Sequence, residues 1–456
     1  MTTVIRPSWV VVPSPAGPVA REGLSVAIDD GWIVEVDADL AAGDHTVDAP
    51  GRLLIPGFIN AHTHLGASPL GRGFVDDLDL RGAPFYMVAA SVTSLPYLPD
   101  YREELDALME ADLVGLLRSG VTTVVNQHAA EPAWLLERLD RSGVRAYSGP
   151  ILPASAQARG TLGPDGRIVR VPVSPDVLEA ELAAGIALHD RYDQGPDGRV
   201  RVIVGPASAE TCPDEFLVAM ARLNAEWGAP LTLHLAQSEH DLAQAQAMFG
   251  MTSAAHLGQL GLLGPNLIAA HGSLLSDDDV ALLAAAGATV AHCATRKARE
   301  AVFSPFLRFV EAGLRVAIAN DAFTVDFVEE IRAAALLGKL LLHDTARPTA
   351  ADALAAATEA GADALGRPDL GRITAGARAD LVLVDLRSPF IGGVLDPIRS
   401  LVYYATGREV ETVWIDGQAV VEGRCLTTLD EAAAERNLAA ATDRLWGVAR
   451  ERGALR

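Results

Sequence analysis

Apolar and polar positions fall into two regimes along the chain. Up to about residue 56, short alternating segments are separated by turn residues, the pattern of half-buried β-strands. Leu24 to Ile28, the turn Asp29-Asp30-Gly31, and Trp32 to Val36 predict a hairpin. From Pro56 onward, compact apolar runs alternate with longer stretches of helical period. The runs predict strands over Leu53 to Ala61, Val121 to Asn126, Val144 to Leu152, Val200 to Ala207, Pro230 to Ala236, Asn266 to His271, Thr289 to Cys293 and Arg315 to Asn320. Helices are predicted over Glu103 to Arg118, Pro132 to Arg141, Pro213 to Trp227, Ser276 to Ala286 and Pro305 to Ala312, several of them closing on a glycine. Eight strands, most followed by a helix, match the number that closes a (β/α)₈ barrel, an α/β fold whose active site lies at the C-terminal strand ends.

After a further helical stretch, Ala350 to Leu365, strand patterns return. Asp380 to Asp385, Ser400 to Tyr404 and Val410 to Ile415 are read as strands of a small sheet, with Asp416-Gly417 turning into Gln418 to Glu422. Residues 429 to 456 read as a charged terminal helix. The strands at the two chain ends could form separate caps or one shared sheet. The connection from Leu65 to Asp100, with Gly71, Gly73, Phe74, Phe85 and Tyr86, is long enough to be expected as a functional loop or lid.

Composition narrows the function. Of 456 residues, 50% are apolar and 21% charged, as in globular proteins. A formal net charge of -22 argues against nucleic-acid or anionic-membrane partners, because polyanions would be repelled. Cys212, Cys293 and Cys425 are widely spaced, so neither a disulfide framework nor a zinc ribbon is expected, and a reducing cytoplasm fits. Met1 to Pro13 lacks the charged leader and long apolar core of a signal peptide, and no membrane-spanning run is expected.

Candidate chemistry begins with His62-Thr63-His64 at the end of the first barrel-type strand. Alternation along a strand sends both imidazoles to one face and Thr63 to the other. Alone the pair is a weak signal. His234, His271 and Asp321 also close apolar runs, on the fifth, sixth and eighth predicted strands, so all would open onto one mouth. Three imidazoles and a carboxylate, with a place for water, suit one zinc or ferrous ion. Such a metal lowers the pKa of bound water to ~7. Asp321 could then pass the water proton to the leaving group, and His271 could ligate the metal or polarise the substrate. The alternative for Asp321 is a helix N-cap. His128 and His292, and Phe74 from the long connection, are candidate substrate contacts. His45, His189, His240, His256 and His343 are read as structural or solvated. There is no P-loop, Gly71-Arg-Gly73 is too short for a dinucleotide fingerprint, and no GxSxG precedes a helix.

Together these residues resemble the amidohydrolase superfamily, in particular its cytosine deaminase, guanine deaminase and triazine hydrolase branch. The resemblance is carried by Pro56-Gly-Phe-Ile-Asn-Ala-His-Thr-His64, Gly120-Val-Thr-Thr-Val124, His234, Ala270-His271-Gly272, His292-Cys293, Asp321 and Ile373-Thr-Ala-Gly-Ala-Arg-Ala-Asp-Leu-Val-Leu-Val-Asp385. It implies a β-sandwich built from both chain ends (residues 1–56 and 373–428), a metal-dependent barrel over 57–372 and a C-terminal helix over 429–456. It also implies His62, His64, His234 and Asp321 as ligands of one divalent metal, with His271 touching hydroxide or substrate. The fourth strand ends Val204-Gly-Pro-Ala207 without a lysine, which speaks against the two-metal, carboxylated-lysine variant.

Two departures bear on the substrate. Where the deaminase branch carries His-x-x-Glu, this chain has His234-Leu-Ala-Gln237, and glutamine cannot donate and recover a proton; Glu239 stands two residues further on. The family's His-Cys-Pro is His292-Cys293-Ala294, followed by Arg296, Lys297 and Arg299, which read either as an anchor for an anionic group or as a solvated charge run. The expected activity is metal-dependent hydrolysis of a non-peptide C–N bond in a small molecule. Deamination of an N-heterocycle leads, and Gln237 favours an amide, urea or carbamate alternative. Halide displacement from an aromatic N-heterocycle is an outlier, and a non-catalytic scaffold is the reading of another class. The resemblance also implies a homodimer or higher homo-oligomer.

Overall fold

The computed structural model describes residues 1–77, 89, 91–128, 132–152, 161–162, 168–169, 174–195, 197–302 and 306–454. Five strands come first: β1 (Thr3–Val12), β2 (Val19–Glu22), β3 (Ser25–Asp29), β4 (Trp32–Asp37) and β5 (His45–Pro56). Asp30 and Gly31 both take positive φ (47° and 80°) between β3 and β4, the twist-matched geometry of a two-residue hairpin.

The central region contains β6 (Phe58–Thr63), β7 (Val121–His128), β8 (Arg145–Pro150), the short ribbon β9 (Thr161–Leu162) and β10 (Ile168–Val169), β11 (Val200–Val202), β12 (Leu231–Leu235), β13 (Leu267–His271), β14 (Thr289–His292) and β15 (Arg315–Ile318). Four strands run parallel in the order β11-β8-β7-β6, and four more in the order β12-β13-β14-β15. Isolated parallel bridges, Thr63 to Asp321 and Ser208 to His234, connect the strand ends of the two sheets. One buried cluster draws Ile59, Val125, Tyr147, Ile268, Ala291 and Ala317 from both sheets. The larger apolar cluster lies between strands and helices, as buried parallel strands require.

The C-terminal strands are β16 (Leu381–Asp385), β17 (Val410–Ile415), β18 (Gln418–Glu422) and β19 (Cys425–Leu426). They join the first five in one nine-stranded sheet, because β16 pairs antiparallel with β5. The chain ends therefore share a single sheet rather than forming two caps. Gly57 marks the passage from that sheet to β6: a Cβ there would meet the Thr122 hydroxyl at 2.1 Å, so only glycine permits the approach.

One expected strand is a helix. Ser400 to Tyr404 lies in the helix Pro397–Tyr404, capped by the Asp396 side chain accepting from the Arg399 N–H, with Pro397 at the first position. Buried Ile398, Leu401 and Val402 follow helical spacing and join the main core. A five-residue apolar run carries both periods equally well; the Asp-Pro start upstream was the deciding signal. The fourth strand is also shorter than expected, ending at Val202, and Gly205 meets Ile151 only through an isolated bridge. In the long connection, Ser68–Gly71 forms one helical turn, while Phe85 and Tyr86 lie outside the described residues. Among the described residues no helix is long and apolar enough to cross a membrane.

Candidate metal centre

The ends of β6 and β15 are laced together before any side chain acts. The His64 N–H donates to the Asp321 carbonyl at 2.8 Å, and the Asp321 N–H to the His62 carbonyl at 3.0 Å. Behind this lacing, Asn60 Nδ2 donates to Asn320 Oδ1 at 2.6 Å, and the Asn320 N–H returns to Asn60 Oδ1 at 3.2 Å. Both asparagines are fully buried and share these two bonds, and Asn320 Nδ2 donates to the Thr324 carbonyl at 2.5 Å. Ala236, His271, Asp321 and Phe323 all take φ between 46° and 80°. Left-handed backbone in non-glycine residues costs about 1–3 kcal/mol each, and it is retained where the surroundings over-determine a functional geometry.

His62, His64, His234 and Asp321 converge from β6, β12 and the end of β15, with one ligand atom from each within 4.8 Å of every other. Asp321 Oδ1 stands 3.4 Å from His62 Nε2 and 3.3 Å from His64 Nε2. His64 Nδ1 donates to the Gln127 carbonyl at 3.0 Å, and His234 Nδ1 to the Ala207 carbonyl at 2.6 Å. A carbonyl can only accept, so in each neutral ring the proton sits on Nδ1 and the lone pair on Nε2. The two Nε2 atoms face each other at 3.1 Å. His62 is completely buried with neither ring nitrogen hydrogen-bonded. Opposed lone pairs and orphaned buried nitrogens disfavour an all-protein arrangement, whereas both fit a divalent cation bound by three imidazoles and a carboxylate.

Electrostatics favour the ligand forms. Burial, then the neighbouring His62 and His64, holds His234 well below the ordinary histidine range. His271 is held low by burial and then by the Lys297 ammonium. Burial would raise Asp321, but the adjacent His62 ring and the Arg296 guanidinium outweigh this and keep the carboxyl well below the usual carboxylate range. The backbone supports are the outer partners that orient metal-binding histidines elsewhere. On β7, Asn126 Oδ1 accepts from the Leu65 N–H at 3.0 Å, and Gln127 Nε2 donates to the Thr232 carbonyl at 2.7 Å. These amides, with Asn60 and Asn320, have no part in the reading of the sequence. For Asn126, Gln127 and Asn320 the signal is a polar amide at the end of a strand.

The other expected site residues are distributed differently. His271, buried at the end of β13, stacks on His234 with ring centroids 5.3 Å apart, beside the ligand group. His292, buried at the end of β14, meets Phe306 edge-on at 5.9 Å. His128 ends β7, and its side chain lies outside the described residues. Phe74 packs between two apolar clusters, one containing Trp446 of the C-terminal helix (centroids 6.0 Å apart), the other Phe323. Gln237 is half-buried, and Glu239 is exposed in the first turn of the helix Glu239–Phe249.

The basic cluster is neither a solvated run nor a set of open anion contacts. Arg296 and Lys297 are each only 4% exposed. Arg296 Nε pairs with Asp321 Oδ2 at 2.8 Å, and Lys297 Nζ with Glu300 at 2.8 Å and the Gln237 carbonyl at 3.0 Å. Exposed Arg299 pairs with Asp76 at 2.8 Å. A short helix directly after β14 turns two of these charges inward, which linear spacing does not show.

Comparison with known proteins agrees with this geometry. The amidohydrolase family profile matches residues 53–420. The chain belongs to the amidohydrolase family. It is thus a hydrolase of carbon–nitrogen bonds other than peptide bonds. A 5-methylthioadenosine/S-adenosylhomocysteine deaminase of Natronomonas pharaonis is 32% identical over 87% of this amidohydrolase and 88% of its own chain. An adenosine deaminase of Xanthomonas campestris, solved with bound zinc, superposes with a TM-score of 0.83 at 28% identity, covering 98% of both chains. A zinc-bound atrazine chlorohydrolase of Arthrobacter aurescens shares the fold at 24% identity, with a TM-score of 0.81 over 96% of this chain and all of its own. The triazine-hydrolase resemblance therefore holds at the level of fold, while the relatives closer in sequence deaminate adenosine derivatives.

Proposed function

We propose that this amidohydrolase removes the exocyclic amino group of an N-heterocycle, with the purine ring of an adenosine derivative as the favoured substrate class and one zinc ion as cofactor. The observation that carries the reading is the His62–His64–His234–Asp321 group, whose opposed Nε2 atoms lie 3.1 Å apart. The relatives' activity directs it to the purine ring. In this reading β6–β8 and β11–β15 close into one (β/α)₈ barrel, residues 57–372, with the nine-stranded sheet folded as the flanking β-sandwich and iron as the second metal choice.

When bound, the metal supplies hydroxide at neutral pH. The protein's residues manage the protons and the substrate. The Asp321 carboxylate takes the proton of the nucleophile and delivers it to the departing amine, which leaves as ammonia. His271, held neutral by burial, polarises the ring at the carbon under attack. The ring nitrogen must also gain a proton, and Gln237 can offer only a hydrogen bond. That observation favours the second reading, hydrolysis of an amide, urea or carbamate, which needs no such proton. Incubating the zinc-loaded enzyme with adenosine derivatives, other amino-substituted N-heterocycles, ureas and amides, and measuring ammonia and amine release, separates the two. Ammonia from the purines is the expected result; turnover of ureas or amides alone overturns the deaminase reading.

A further inference from the structure

The helix Ala294–Arg299 starts immediately after β14, and Arg296 stands in its first turn. Its side chain does not leave the protein. The guanidinium lies against Asp321 Oδ2 at 2.8 Å, pairs with Glu300 on its other side, and sits over the face of Phe323 at 5.5 Å from the ring centroid. Glu300 also pairs with Lys297, whose Nζ donates to the Gln237 carbonyl. A single helical turn (residues 296, 297 and 300) therefore grips the ends of β15 and β12 together. Phe323 is itself fixed in left-handed backbone at φ 80°.

This arrangement divides the two oxygens of Asp321. Oδ1 faces His62 and His64 at 3.4 and 3.3 Å, while Oδ2 is held by Arg296. An aspartate on a strand end can otherwise rotate its carboxylate, because that terminal torsion has a broad energy profile. A guanidinium is planar and permanently charged, so it fixes the oxygen it engages. Burying it is tolerable because two carboxylates, Asp321 and Glu300, balance Arg296 and Lys297.

We infer that Arg296 is a positioning residue: clamped between Glu300 and Phe323, it turns Asp321 so that a single oxygen, Oδ1, is offered to the metal. The inference rests on the metal-centre reading but not on the choice of substrate. The test needs no substrate. Full-length protein is stripped with a chelator, reconstituted with cobalt(II), and its visible absorption is recorded, since that spectrum reports the number and geometry of ligands. R296M is expected to take up cobalt(II) in wild-type stoichiometry with displaced visible bands, and R296K to restore the bands most of the way. Turnover then follows: kcat falls about 100-fold in R296M, as small misplacements of catalytic groups do, with KM little changed. An R296M spectrum identical to wild type overturns the inference whatever its turnover. So do R296K and R296M spectra displaced by the same amount, which would signal general packing damage. If R296M is insoluble, R296Q, with a polar side chain in the same space, is judged by the same criterion. A wild-type protein that takes up no cobalt(II) overturns the inference together with the metal centre. Failure to deaminate any purine overturns only the proposed function.

Discussion

Two buried charge clusters sit in different parts of this molecule, and they are built to opposite standards. Where the nine-stranded sheet meets the parallel strands, Arg145 on β8 donates to both oxygens of Asp380 (3.0 and 3.1 Å) and to Asp416 at 2.6 Å. The Asp416 N–H completes the set by donating to Asp380 Oδ1 at 2.9 Å. Arg145 is fully buried, and the two carboxylates outweigh its desolvation to raise its affinity for the proton. At the other cluster, three imidazoles and Asp321 meet with two Nε2 atoms opposed and both His62 nitrogens unbonded. Similar chemistry serves different ends: a cluster of paired charges holds regions together, and one with orphaned His62 nitrogens suits a bound cation.

Substitutions that affect only one cluster test that contrast. The largest effect belongs to the metal centre. Asp321→Asn is expected to lower turnover by about 10²–10⁴-fold, the contribution of a positioned proton-transfer group. Its melting temperature without metal should also fall, because buried Arg296 loses one of its two carboxylates; near-normal turnover would show that another group moves the proton. Arg145→Met acts on stability alone. It leaves Asp380 buried without its cation, while half-buried Asp416 keeps Arg378 at 3.4 Å, and denaturant titration should register a loss of about 3–5 kcal/mol. Turnover per folded molecule stays unchanged; a stable R145M protein with impaired turnover would end the division of labour.

Gln237→Glu sharpens the comparison within the site. It supplies the missing proton carrier and should raise deamination of an N-heterocycle by about tenfold or more. Unchanged or abolished turnover counts against Gln237 as the limit on that chemistry.

A separate, pH-dependent effect on stability concerns Glu330. It accepts from the Thr295 N–H at 3.1 Å and from the Thr295 hydroxyl, supporting the helix that carries Arg296. Burial pushes its pKa from 4.5 to about 7. The folded state then binds the proton more tightly than the unfolded one. Its contribution is complete below the unfolded value near 4.5 and is lost as pH rises toward 7. That amounts to stability on the order of 3 kcal/mol across the window. Glu330→Gln should flatten this part of the stability–pH curve; an unaltered slope would show that Glu330 does not titrate there.

Some of the site was legible in one dimension because each residue closes an apolar run. His62, His64, His234, His271 and Asp321 are all of this type, and strand-end placement is a local property. Two strands at each chain end were equally readable from their turns: Asp29-Asp30-Gly31 and Asp416-Gly417 form hairpins with positive φ at Asp30, Gly31, Asp416 and Gly417. Ser400 to Tyr404 was misread because its apolar residues are too few to distinguish a period of two from 3.6. The inward turn of Arg296 and Lys297 could not be read at all. Their charges predict exposure, and burial is tolerable only because Asp321, from the next strand end, joins the local Glu300 as counter-charge.

The sequence by itself determined the alternation of strands and helices, the identity of the candidate ligands and the absence of a glutamate at position 237. Each follows from residue type and local period. Tertiary structure decided what those residues do to one another. It paired β16 with β5 so that the chain ends share one sheet. It laced His62 and His64 to Asp321 across 257 to 259 residues of chain. It also placed Arg296 on the second oxygen of Asp321. Opposed lone pairs and a divided carboxylate are properties of distances, and those distances exist only once β6, β12 and β15 come together.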